Sequence, residues 1–491
     1  MTAIGMRLPR GVVLTVCALV LLRLVAATFT PLTFDEAYYW TWSKSLAGGY
    51  YDHPPMVAVV IRLGTMIGGD TAFGVRLVSI LLALPMSWAV YRTAEILFGD
   101  VRIAAASAIL LNATLMVAAG TVIVTPDAPL IVAASFVLYF LAKVLQTGRG
   151  LWWIAVGAAV GCGLLSKYTA FFFGLEILLW LLLVKDQRRW LASPWPYFGG
   201  VVAFAIFSPV ILWNAEHEWA SFLKQFGRAR IQSFTPQFVA ELIPVQFFFA
   251  TPSVFVLGVM GLYALLTRNT VSAAERGLIN ASFWTIVVYF AWHSLHERVE
   301  GNWLGPVYPA FAIAAAYAAH GRTWDGRGQR IADLSRRWAM PVSVVLFVLL
   351  ILQANTGILS GFRRDPTARN VGVGWPALAK EIEAIRLTTD ATCILLDDYG
   401  TTAWLKFYLP KGNCVAQRAD RLRWINAPEP GEMLLRGKVL LVAGPGAPAS
   451  LRDGFARVEK VADVARRRSG VAVGTYEVYL LENATGDVLF R

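Results

Sequence analysis

The sequence predicts a polytopic α-helical membrane protein with a small α/β domain at its C-terminal end, and three observations predict it. Of 491 residues, 57% are hydrophobic and only 15% charged, with a mean hydropathy of +0.55. Soluble domains carry about 25% charged residues and cannot hide this much apolar surface in one core. Apolar stretches near the ~20 residues that a bilayer requires recur before residue 360. The last ~130 residues instead alternate short Val/Ile/Leu runs with helical patterns.

The spans are placed in order at 11–30, 73–91, 103–120, 122–142, 151–166, 169–184, 197–213, 245–266, 278–294, 303–320 and 339–359. This gives about eleven membrane helices, or up to thirteen if closely paired stretches divide differently. The first follows Arg7 and Arg10, contains Arg23 and leads into further spans, so it reads as an uncleaved anchor rather than a cleaved signal peptide. Residues 56–66 are apolar but too short to cross, and suit a re-entrant or interfacial helix. The domain division follows: a transmembrane part over 1–359 and a C-terminal α/β part over 360–491. In the latter, 393–396, 439–442 and 476–481 read as strands, and 375–385 and 401–408 as helices.

The net charge of +12 is partly an orientation signal. With the N-terminus inside, every inner loop is basic: Arg92 and Arg102, Lys143 and Arg149, Lys185, Arg188 and Arg189, Arg268 and Arg276, then Arg322 to Arg337. No nucleic-acid partner is needed to account for it. The outer side then collects 33–72, 120–127, 166–169, 214–244, 293–303 and the C-terminal domain. Cys17 and Cys162 lie in apolar stretches, whereas Cys393 and Cys414 share the polar C-terminal part. Those two pair in an oxidising compartment or remain thiols; the sequence leaves both open.

The titratable residues gather on that outer side. Asp35 and Glu36 follow the first span directly, within an aromatic run from Phe34 to Trp42, and Asp52-His53-Pro54-Pro55 follows in the same loop. Carboxylates at membrane depth are expensive and usually face a functional cavity, although the aromatics alone equally suit an interface belt. Asp127 in Thr125-Pro126-Asp127 is either a site residue or an ordinary helix start. Lys167, next to Tyr168, either snorkels or meets a phosphate as a point charge. Arg228 and Arg230 sit in a loop with Phe226 and Phe234 that suits lipid headgroups as well as a substrate. His293, His296, Arg298, Glu300 and Asn302 form a late polar cluster. Asp52, His293 and His296 are a candidate divalent-metal set, with a hydrogen-bonded cluster as the alternative. Acids, bases, phosphate-binding candidates and aromatic faces on one side of a membrane are what a transferase moving a sugar from a lipid phosphate needs. A transporter or flippase of lipid-linked sugars is the alternative, since intramembrane charges also mark transport paths.

At these residues the chain resembles the integral-membrane GT-C glycosyltransferases. It is similar to the bacterial branch related to protein O-mannosyltransferases, which includes lipid A aminoarabinose and galacturonosyl transferases (glycosyltransferase family 39/83-like). The resemblance runs through roughly the first 320 residues and rests on Asp35-Glu36, Asp52-His53-Pro54-Pro55, Thr125-Pro126-Asp127, Ser166-Lys167-Tyr168 and Glu300-Gly301-Asn302-Trp303. It implies a polyprenyl-phosphate sugar donor, an envelope glycolipid such as lipid A or, less favoured, a protein as acceptor, and an inverting transfer at the periplasmic face of the inner membrane. It implies Asp35 as the essential acid, with Glu36 beside it. It implies substrate binding by Asp52, His53, Asp127, Lys167, Tyr168, Arg228, Arg230, Arg298, Glu300 and Asn302. Aminoarabinose transferases carry Glu-Lys before the two prolines where this chain has Asp52-His53, which leaves phosphate contact to His53, Lys167 or an arginine.

Overall fold

The structure is a computed structural model describing residues 8–227, 234–269, 271–321, 324–358, 367, 370–444 and 446–489. The expected domain boundary at 359/360 lies outside the described residues. Apolar composition without strand periodicity folds the first part as helices. These are α1 (Arg10–Phe29), α2 (Phe34–Lys44), α3 (Met56–Gly68), α4 (Ala72–Leu81), α5 (Ala83–Phe98), α6 (Val101–Asn112), α7 (Leu115–Ala118), α8 (Asp127–Thr147), α9 (Trp152–Ser166), α10 (Phe171–Leu183), α11 (Trp195–Glu216), α12 (Ala220–Gly227), α13 (Gln237–Phe249), α14 (Pro252–Thr267), α15 (Ala273–His293), α16 (Tyr308–His320) and α17 (Arg327–Thr356).

Among the described residues, five helices are individually long and apolar enough to cross a bilayer, or seven if each of two bent pairs is one span. The expected span at 103–120 stops at Asn112, and Thr114 caps the four-residue α7 that follows. The expected span at 245–266 is instead α13 and α14, meeting at 106°. The bend falls at Thr251, whose φ of 65° precedes Pro252 at the first turn of α14. The 214–244 stretch, expected as loop, contains α12 and part of α13. The apolar segment at 56–66 is a packed helix. It lies so close to α4 that a Cβ on Gly64 would sit 2.3 Å from the Gly74 carbonyl oxygen.

Two buried polar ties hold the bundle near the first loop. Arg23 on α1 donates to the Asn112 side chain (3.0 Å) and carbonyl (3.1 Å), and Asn112 donates to Ser87 (2.7 Å). With no water in the hydrocarbon, each of these groups needs a protein partner.

The C-terminal part forms one five-stranded sheet, ordered β2-β1-β3-β5-β4. Its strands are β1 (Cys393–Leu396), β2 (Cys414–Gln417), β3 (Val439–Ala443), β4 (Phe455–Arg468) and β5 (Val471–Ala484). β1 runs parallel to β2 and β3, and β5 is antiparallel to β3 and β4. Cys393 and Cys414 face each other in the β1–β2 register and form a disulfide. One sheet face shares a core with α2 and α3: Leu32, Tyr38, Trp42 and Ile61 pack with Trp375, Ile394, Trp404 and Val478. The opposite face buries Leu395, Leu441 and Leu481. The C-terminal sheet therefore sits directly on the first loop.

Candidate active site

The site is built where α2 meets the sheet. Thr33 caps α2: its hydroxyl accepts from the Glu36 N–H (3.2 Å), and Glu36 accepts from the Thr33 N–H (2.8 Å). The same Glu36 carboxylate, fully buried, receives Arg76 Nε (2.7 Å), Arg76 Nη2 (2.7 Å) and the Val124 N–H (3.1 Å). Four donors occupy its two oxygens. The catalytic reading of Glu36 therefore gives way to a structural one: it fastens α2 to α4 and to the 121–125 segment.

Asp35 is placed differently. One residue along a helix turns the side chain by about 100°, and Asp35 points at the C-terminal domain, where the Tyr399 hydroxyl donates to its Oδ1 at 3.2 Å. Burial pushes the Asp35 carboxyl up to about 6, against the Tyr399 hydrogen bond and Arg423, while the Asp52 and Glu36 charges push the same way as burial. Burial and the Asp35 charge raise the Tyr399 phenol, which stays a donor. Burial thus raises the Asp35 carboxyl toward neutral pH.

Asp52 is the centre of a second cluster. Its carboxylate accepts from Tyr38 (2.9 Å), from Arg423 Nη1 through both oxygens (2.8 and 2.8 Å), and from Lys224. Burial pushes its carboxyl up, but Lys224 and Arg423 outweigh that and hold it below the usual range. Burial likewise opposes the Arg423 charge, and Asp52, Tyr38 and Asp420 more than offset it. The Arg423 guanidinium lies 4.3 Å over the Tyr399 ring, and Lys224 lies 4.1 Å over Tyr51. His53 packs edge-on to Tyr39 at 6.2 Å between ring centroids. Asp35, Tyr399, Arg423, Asp52 and Lys224 form one continuous chain of contacts.

A third group lies beyond the 121–125 segment. Asp127 pairs with Lys167 Nζ at 2.7 Å, both nearly buried, and accepts from Asn302 Nδ2 at 2.6 Å. Lys167 is neutralised by Asp127, which leaves it a poor lone phosphate ligand. Tyr168 bonds Ser221 at 2.8 Å and so anchors α12, the helix that carries Lys224. Beside Asn302, α13 to α16 enclose a cavity of about 520 Å³ lined almost wholly by apolar side chains, including Leu242, Phe255, Tyr263, Trp284 and Phe311. Gln246 closes its polar end, donating to the Gly301 carbonyl (2.7 Å) and accepting from Tyr308 (2.9 Å).

Other expected residues stand apart. Arg298 is exposed and 3.5 Å from Glu241, and Glu300 is exposed. Arg228 and Arg230 lie outside the described residues. The candidate metal set does not assemble. His293 stacks on Tyr289 and faces Glu297 at 3.8 Å, His296 packs against Trp292 and Phe234, and Asp52 is taken by two cations. Among the described residues, no three His, Cys, Asp or Glu side chains converge as a metal would require. Tyr399, Lys224 and Arg423 are the residues that sequence reading missed. The only hint was the basic and aromatic run Arg421-Leu422-Arg423-Trp424 in the outer domain.

Residues 52–213 match the family model described as dolichyl-phosphate-mannose-protein mannosyltransferase. Across 96% of the chain the fold matches ArnT from Cupriavidus metallidurans bound to undecaprenyl phosphate, with a TM-score of 0.68, 17% identity and 98% of that chain covered. The fold of this chain is ArnT-like. Archaeal oligosaccharyltransferase AglB from Archaeoglobus fulgidus is similar in fold more distantly, at a TM-score of 0.51 and 12% identity over 88% of this chain and 69% of that one. The lipid A galacturonosyltransferase RgtD of Rhizobium johnstonii is 26% identical over 327 residues, 63% of this chain. An undecaprenyl phosphate-alpha-4-amino-4-deoxy-L-arabinose arabinosyl transferase of Pseudomonas fluorescens is 32% identical over 166 residues, 33% of this chain. These alignments span 65% and 28% of the respective relatives' lengths. The chain thus combines several helices apolar enough to cross a membrane with a small C-terminal sheet domain.

Proposed function

We propose that the chain transfers a sugar from a polyprenyl-phosphate donor to an envelope glycolipid, such as lipid A, at the periplasmic face of the bacterial inner membrane. The observation that carries this reading is Asp35: a buried carboxyl, raised by that burial to about 6, that accepts from Tyr399 and is joined through it to the Arg423–Asp52–Lys224 cluster. The relatives named for lipid A galacturonosyl transfer and for undecaprenyl-phosphate-linked aminoarabinose support the donor and acceptor classes. The Cys393–Cys414 disulfide supports an oxidising, outer location for the C-terminal domain and hence a cytoplasmic N-terminus.

In this reading the apolar cavity takes part of the prenyl chain and places the donor's anomeric carbon near Asp35. Asp35 accepts the proton of an acceptor hydroxyl as its oxygen attacks that carbon. The bond from the anomeric carbon to the phosphate oxygen breaks, and polyprenyl phosphate leaves with the electron pair. One displacement inverts the anomeric configuration. For an acceptor that is already an ionised phosphate, Asp35 orients the nucleophile rather than deprotonating it. No metal is assigned in this scheme, since among the described residues no three His, Cys, Asp or Glu side chains form a metal's donor set.

Mass spectrometry of envelope glycolipids from a strain lacking the gene tests the reading. The expected result is loss of one sugar mass from a glycolipid, restored by the wild-type gene. Unchanged glycolipids with a lost protein glycan would move the acceptor to protein. Movement of a lipid-linked sugar across proteoliposomes without covalent transfer would replace the enzyme with a flippase.

A further inference from the structure

The corner formed by Lys224 and Arg423 carries an inference that rests on the proposed donor class and names the residues that grip its phosphate. The two cations come from distant segments, α12 and the Arg421–Trp424 turn of the C-terminal domain. Both converge on one carboxylate, Asp52, which is 9% exposed. Tyr51 lies beneath both, with Lys224 at 4.1 Å and Arg423 at 5.9 Å from its ring. Arg423 also meets Asp420 through Nε at 2.8 Å, but Asp420 is the more exposed carboxylate and leaves the Nη1 end facing Asp52.

Three features make the Asp52 contact exchangeable. The Asp52 backbone is pinned separately, its carbonyl accepting from Gln225 Nε2 at 2.6 Å, so the side chain can swing without moving the loop. The Tyr38 hydroxyl that supports Asp52 has a second acceptor within reach, the Arg423 carbonyl at 3.0 Å, so releasing Asp52 leaves no orphaned donor. Finally, Arg423 also touches the Tyr399 ring, and Tyr399 holds Asp35. An anion on Arg423 therefore lies one residue from the proposed base.

We propose that Lys224 and Arg423 form the phosphate-binding corner of the site, and that Asp52 is the internal anion which the donor's phosphate displaces from them. A phosphate presents more acceptor oxygens than a carboxylate and suits the fork of an arginine. The exchange keeps both cations paired before and after binding, while the displaced Asp52 carboxylate keeps the Tyr38 hydroxyl and must turn to solvent or take up a proton. Because the released product, polyprenyl phosphate, carries more charge than the phosphodiester donor, the corner holds product more tightly than donor.

Equilibrium binding of undecaprenyl phosphate to the full-length protein in detergent micelles, with undecaprenol as the uncharged control, tests this. The wild type should bind the phosphate at least tenfold more tightly than the alcohol. Arg423→Gln and Lys224→Gln should each weaken phosphate binding about tenfold while unfolding at the wild-type midpoint, and Arg423→Lys should recover part of the loss. Asp52→Asn should tighten binding severalfold, since the competing anion is gone. A merely structural Asp52 gives the opposite sign, so weaker or unchanged binding by folded Asp52→Asn overturns the proposal. Wild-type-like binding by Arg423→Gln overturns it as well. Wild-type preference for the phosphate with no effect of these variants removes only the corner, whereas no wild-type preference for the phosphate also removes the proposed donor class.

Discussion

Replacing Arg76 with Met separates structure from chemistry at Glu36. The guanidinium and the carboxylate are both completely buried, joined by two contacts of 2.7 Å. Met fills similar volume but leaves Glu36 ionised with only the Thr33 and Val124 N–H groups for support. It also orphans the Thr30 and Pro31 carbonyls that Arg76 satisfies. Breaking such a pair from one side costs about 3–5 kcal/mol, and each orphaned carbonyl adds about 1 kcal/mol or more. A loss of ~5–7 kcal/mol is a large fraction of a typical folding free energy. The double variant Arg76→Met/Glu36→Gln removes both charges, so it should recover about 2 kcal/mol of that loss. Denaturant unfolding in mild detergent, followed by tryptophan fluorescence, reads these differences. Full stability in Arg76→Met would refute the account of Glu36. So would a stable Glu36→Gln protein that has lost sugar transfer, which would restore the catalytic role that the sequence suggested.

Three further outcomes follow from the same geometry. Because burial raises the Asp35 carboxyl to about 6, transfer to a hydroxyl acceptor should rise through pH 6. Tyr399→Phe removes the hydrogen bond that opposes this shift, so the acidic limb of the rate profile should move to higher pH; an unmoved limb would dissociate Tyr399 from Asp35. The sign for stability is the reverse: a carboxyl raised above its unfolded value contributes most below about pH 4 and loses that contribution as pH rises through about 6. Asn112→Ala should destabilise the bundle by about 2 kcal/mol, since Arg23 loses both its side-chain partner and the link to Ser87; wild-type unfolding would show that Arg23 finds another partner. Serine at both Cys393 and Cys414, which close a 21-residue separation, should cost about 3 kcal/mol in the C-terminal domain. Mass spectrometry after alkylation without reductant should find neither cysteine labelled, and labelling of both would remove the argument for an oxidising compartment.

Much of the fold was legible because bilayer length and hydropathy act locally. Where that reading slipped, a local device intervened: Thr114 restarting a helix, or Thr251-Pro252 turning α13 into α14 through more than a right angle. β2 went unseen because Cys414-Val415-Ala416-Gln417 holds one β-branched residue where β1 is a continuous apolar run, and β4 because its sequence is rich in Arg, Lys, Asp and Glu and only partly buried. The first loop was read as the chemical centre, but its two acids could not be told apart. Adjacent residues on a helix face different surroundings, and only tertiary contacts reveal that Glu36 meets Arg76 and Asp35 meets Tyr399. Arg423 contacts Asp52 across 371 residues of sequence, a distance at which no spacing rule speaks. The helical spacing of His293 and His296 was visible, yet the partners of Asp52 decide that they do not share a metal with it.

The most direct test of sugar transfer at Asp35 is an assay of purified protein against a panel of polyprenyl-phosphate sugars with an envelope glycolipid acceptor, read by product mass. The account predicts a sugar-sized mass gain with at least one donor and a drop of at least a hundredfold in rate for folded Asp35→Asn. Equal rates for Asp35→Asn and wild type would contradict it.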